Sequence, residues 1–104
     1  MAQNNPQGAQ NPQNKQIQVK VSDEVLKGIY ANMVQVSHGQ EEFVLDFMNI
    51  FPPSGVLASR VILSPAHMKR LVMAMQENIK RFEASNGTIQ PGKDPQANFG
   101  FRTE

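Results

Sequence analysis

Three consecutive runs in the middle of this chain, residues 29–36, 43–51 and 56–63, are apolar on both alternating sets of positions, and only one amphipathic stretch, over 65–85, follows them. Successive side chains of a strand point to opposite sides of a sheet, so a strand apolar on both sets needs a cover layer on each side. A single helix supplies one such layer. The sequence therefore predicts that the second face is buried by another copy of this chain or by a different protein.

Other features narrow the classes further. A chain of 104 residues holds one domain at most. Hydrophobic residues make up 39%, a low share for a globular chain, and the deficit sits at the two ends. The net charge of +1 gives no strong field for nucleic acid or an anionic membrane. With 0 Cys, disulfides, thiolate nucleophiles and Cys-ligated zinc are excluded, and a small unstapled domain fits the cytoplasm. The first fourteen residues lack a charged start and an apolar core, so no signal peptide is expected. No apolar run approaches the roughly 20 residues of a membrane span.

Residues 1–14 are Gln, Asn, Pro, Gly and Ala after the initial Met, with nothing to anchor them, and read as a disordered arm. Residues 15–21 alternate cleanly, with Ile17, Val19 and Val21 on one side, and predict a half-exposed edge strand. Ser22-Asp23-Glu24 reads as a turn or a helix N-cap, with a short helix through Val25, Leu26 and Ile29 as an option. Residues 29–38 and 42–51 form an expected hairpin, turned at Gly39-Gln40 by a glycine able to take positive φ. Pro52-Pro53-Ser54-Gly55 breaks the run, and residues 56–63 give the last strand, with Leu57, Val61 and Leu63 on one face.

Helix entry is the sharpest local signal. Ser64 is a good N-cap, and Pro65 sits at the first helical position, where its missing N–H costs nothing. Met68, Val72, Met75, Ile79 and Phe82 then recur at spacings of four, three, four and three, with Leu71 widening the stripe. Gly87 after Asn86 is the expected stop. The fold expected is α+β, a four-stranded antiparallel sheet followed by one long amphipathic helix (β-β-β-β-α). The folded domain is expected over residues 15–86, with a disordered tail over 87–104.

The residues that carry this reading also resemble a known family. Gly28-Ile29-Tyr30-Ala31-Asn32, Ser37-His38, the run from Glu42 to Phe47, the run from Ser59 to His67, Met68-Lys69-Arg70-Leu71 and Glu77-Asn78-Ile79 are similar to an uncharacterised family of small bacterial proteins, domain of unknown function 3467. The resemblance excludes both tails and transfers no catalytic role. Its one contextual implication is a partner in transcription, since in the Bacteroidetes lineage such proteins are encoded beside the large RNA polymerase subunits.

Several residues are candidates for chemistry or binding. His38 and Glu42, near each other across the hairpin turn with Asp46 further on, contain acid–base groups, but two His and no Cys make a poor metal set. Asp46 and Arg60 are charges inside otherwise apolar strands expected to be neighbours. They read first as a structural ion pair, and alternatively as polar anchors of an interface. Asn32 interrupts its strand in the same manner, either hydrogen-bonded to fix register or simply exposed at an edge. Met48 on the open sheet face and Met73 off the helical stripe are apolar contact candidates.

His67, Lys69 and Arg70 open the helix, where the dipole disfavours cations, and Lys80 and Arg81 extend the basic character. Phe99-Gly100-Phe101 is either inert tail or a docking motif that orders on binding. No nucleophile elbow, phosphate loop or convergent His/Asp/Glu set is present, so neither an enzyme nor a resident metal or cofactor is expected. The leading expectation is an interaction protein that forms a homodimer or joins a larger complex. The alternative is a nucleic-acid-associated regulator using the basic helix start.

Overall fold

The structure, a computed structural model, describes residues 16–92 and 100–103. In chain order its elements are α1 (Asp23–Leu26), β1 (Met33–His38), β2 (Phe43–Phe51), β3 (Ser54–Leu63) and α2 (Pro65–Asn86). The fold is α+β: a three-stranded antiparallel sheet in the order β1-β2-β3, followed by a long helix.

The fourth strand expected over 15–21 is not formed by the described residues 16–21. Ile17 and Val19 are 82% and 80% exposed there, and the segment joins no ladder. Alternation selects a face, but a strand exists only when a neighbour takes up its N–H and C=O groups. The short helix does form, but it ends at Leu26 and does not reach Ile29; it is capped by the Ser22 hydroxyl, which accepts from the Val25 N–H at 3.2 Å. Gly28, at φ +82°, then turns the chain out of it.

β1 starts at Met33, later than expected, because Asn32 closes the ladder with its side chain. The Asn32 Nδ2 donates to the Ile50 carbonyl at 3.0 Å, and its Oδ1 accepts from the Ile50 N–H at 2.9 Å. The amide thus stands in for a peptide group. The hairpin turn is closed by the Gly39 N–H donating to the Glu42 carbonyl at 3.0 Å. Gly39 does not take the positive φ expected of it; its missing Cβ instead leaves room for the Glu42 carboxylate.

Phe51 pairs directly with Ser54, so Pro52 and Pro53 alone connect β2 to β3, and β3 begins two residues before the expected position 56. The β2–β3 register shifts at Phe47/Met48, where Ser59 pairs with Phe47 and Leu57 with Met48, leaving Ala58 as the extra residue. This bulge overturns one expected face. Leu57 does not share a face with Val61 and Leu63 but lies with Asp46 and Met48, while Val56 moves to the Val61 side.

One face of the sheet, called here the helix face, then carries Val34 and Val36, Phe43, Leu45 and Phe47, and Val61 and Leu63. The opposite face carries Met33, Val44, Asp46, Met48, Ile50, Leu57, Arg60 and Ile62. Leu45 and Met48, one from each face, are the buried apolar residues among those described. The arm expected over 1–14 lies outside the described residues, and in the tail the described residues 87–92 and 100–103 form neither helix nor strand.

Candidate interaction surface

Helix α2 enters as its sequence dictates. The Ser64 hydroxyl accepts from the His67 N–H at 3.2 Å, Pro65 occupies the first turn, and Gly87 ends the helix at φ +87° with its N–H on the Glu83 carbonyl at 2.9 Å. Only Ser64 separates β3 from α2. The first turns meet the helix face of the sheet, where Phe43, Pro65, Met68, Val72 and Met73 line a shallow groove. Beyond that point the stripe is bare. Met75, Ile79 and Phe82 are 45%, 47% and 52% exposed, and none of the 22 residues of α2 is buried.

A second groove on the helix face lies under α1, lined by Val25, Ile29 and Ala31 against Phe47 and Val61. Val34 and Val36 stay exposed along the β1 edge. The opposite face is more polar, and its centre is an ion pair. Asp46 and Arg60 are register partners on β2 and β3, and the guanidinium grips the carboxylate with two bonds, Nε to Oδ1 at 2.6 Å and NH2 to Oδ2 at 3.0 Å.

Asp46 is 4% exposed, whereas about half of the Arg60 side chain reaches solvent. The Arg60 hydrogen bond holds the Asp46 carboxyl below its usual range; desolvation opposes this, and the attraction of the cation adds to the lowering. The same bond raises the Arg60 pKa. The Phe101 ring lies 5.8 Å from the Arg60 guanidinium carbon, and Gly100 and Phe101 complete a groove with Met48, Ile50 and Leu57. One of the two tail phenylalanines therefore sits on this chain's own sheet; Phe99 lies outside the described residues.

Other candidates fall into place individually. Asn32 fixes register within the sheet, as described above. Met48 goes into the core. His38 pairs with Phe43 across the hairpin, the two rings 5.4 Å apart, and no group of three or more His, Asp or Glu side chains within metal reach occurs among the described residues. His67, Lys69, Arg70 and Met73 are exposed on α2, and Arg81 is already paired with Glu77 at 3.4 Å.

Sequence reasoning missed Asn49. Its Nδ2 donates to the Tyr30 carbonyl at 2.7 Å and ties the α1–β1 connection to β2, while its buried Oδ1 has no partner among the described residues. Nothing in the sequence distinguishes it from a solvated Asn. No described helix is long and apolar enough to cross a membrane. No curated protein and no solved structure matches this chain. A family model does, over residues 2–91, and the chain belongs to that family, DUF3467, described as a protein of unknown function.

Proposed function

We propose that this protein is a non-catalytic interaction module whose bare apolar surfaces are buried against another protein chain. One observation carries the reading: a 22-residue helix with a regular apolar stripe has no buried residue, although it belongs to a chain with an apolar sheet. Helices of this length draw most of their stability in water from packing that stripe. Large exposed apolar patches rimmed by polar residues are the usual mark of a protein contact.

Sedimentation over a micromolar concentration range, with affinity capture of the tagged chain from its host, tests the proposal. Self-association, or a stoichiometric partner lost on changing Ile79 to Asp, is the expected result. A persistent monomer that captures no partner would refute it. A nucleic-acid role finds less support, because the cations of α2 are dispersed and Arg81 is engaged by Glu77.

A further inference from the structure

We propose that the partner of α2 is the α2 of a second copy of this chain, packed antiparallel about a two-fold axis passing beside Glu77. This inference rests on the interaction reading above and names its occupant. Three observations converge on it.

The first is the width of the stripe. Met68, Met75 and Phe82 fall on one core position of a heptad, and Val72 and Ile79 on the other. A helix lying on a sheet needs a broader stripe, with one flank also apolar. That condition is met only at the start of α2, where Leu71 flanks the seam and Val72 meets the Phe43 groove. From Gln76 onward the flanking positions are Gln76, Asn78, Glu83 and Ser85, all polar. The exposed part is therefore a narrow seam, the shape that fits a single opposing helix.

The second is charge. With the axis beside Glu77, Val72 faces the partner's Phe82, and Met75 faces the partner's Ile79. On one flank Lys69 then faces the partner's Glu83, and symmetry repeats that pair. Glu83 is already steadied for the role, since one of its carboxylate oxygens accepts the Ile89 N–H at 2.9 Å. A parallel pair would instead set Leu71 against Gln76 and Asn78 against Glu83, with no opposite charges meeting. Within one helix Lys69 and Glu83 lie about 21 Å apart, so they can serve each other only between copies.

The third is the groove. The antiparallel register brings the partner's Phe82 to Val72, beside the shallow groove whose apolar lining is Phe43, Pro65, Met68, Val72 and Met73 and whose polar lining is Lys69 and Gln76. The exposed ring of the stripe thus arrives at a largely apolar recess that the described residues leave open. The contact is closed and isologous, so it stops at a dimer.

The test uses the full chain in sedimentation velocity between roughly 5 and 200 μM, the range suited to a small interface. The expected result is a reversible monomer–dimer equilibrium, with helical ellipticity falling on dilution. Phe82→Asp should raise the dissociation constant by about 30-fold or more. Lys69→Glu and Glu83→Lys should each raise it roughly 5-fold, and the double reversal should return it to within about twofold of the original. A β-sheet spectrum retained in each variant shows that the chain still folds.

A monomeric wild-type chain throughout the range overturns the pairing, while the broader interaction reading then stands or falls on capture of a different partner. A dimer indifferent to Phe82→Asp overturns the helix seam and places the contact on the sheet. A double reversal that fails to restore affinity overturns the antiparallel register.

Discussion

Strand β2 and helix α2 each carry a regular apolar pattern, and one chain treats them in opposite ways. β2 has neighbours on both sides, and Leu45, Asp46 and Met48 on it are the buried residues among those described. Among the described residues α2 meets the sheet at its first turns, and no residue of it is buried. Amphipathicity tells which side of an element wants cover. Whether cover comes from the same chain depends on connection length, and here Ser64 alone leaves the helix no slack to fold back over the sheet.

The largest test of that contrast is Met48→Ala, which should cost about 2–4 kcal/mol in equilibrium unfolding, because a buried thioether side chain leaves a cavity. Next comes Asp46→Ala, expected to cost about 1–3 kcal/mol by stranding the Arg60 cation beside the core. Its pH signature has a definite sign. The folded carboxyl titrates below its unfolded value of about 3.9, so the pair's contribution is fully present above that pH and is lost as the pH falls through the lowered folded value. Acid-unfolding curves of Asp46→Asn should therefore show a shallower loss of stability below about pH 4 than the wild type.

Ser64→Ala should cost about 1 kcal/mol through the lost cap, read as reduced helical ellipticity with the sheet intact. The smallest effect sharpens the contrast most. Ile79→Ala should change unfolding of the dilute monomer by less than about 0.5 kcal/mol, although it removes as much hydrocarbon as many core truncations. A cost of several kcal/mol at dilution would mean that Ile79 is packed within its own chain, and the comparison would break.

Much of the local chemistry was legible in the sequence, and the partnerships were less so. The Ser64–Pro65 entry and the Gly87 stop are short-range signals that fell where their residues indicated, and the hairpin turned at Gly39 as expected but without the positive φ. The Asp46–Arg60 pair was legible because two charges in adjacent apolar strands have few other ways to be satisfied. Ile17, Val19 and Val21 misled because periodicity reports a preference and not a partner. The bulge at Ala58 was invisible, since one extra residue in a strand of small and branched side chains leaves no compositional trace, yet it moves Leu57 to the other face. The closure of β1 by the Asn32 side chain was half legible: a polar residue in an apolar run was noticed, but its use as a substitute peptide group depends on where Ile50 lies.

The one-residue joint at Ser64 has a mechanical consequence. A capped, proline-started helix set directly on the end of a strand behaves as a lever arm, with no hinge to absorb motion. Its 22 residues span about 33 Å, so a tilt of about 10° at the end of β3 would carry the far tip roughly 6 Å sideways. Small adjustments of strand twist in the sheet are thereby magnified at Phe82, and a label placed near Asn86 would read the sheet's posture from a distance.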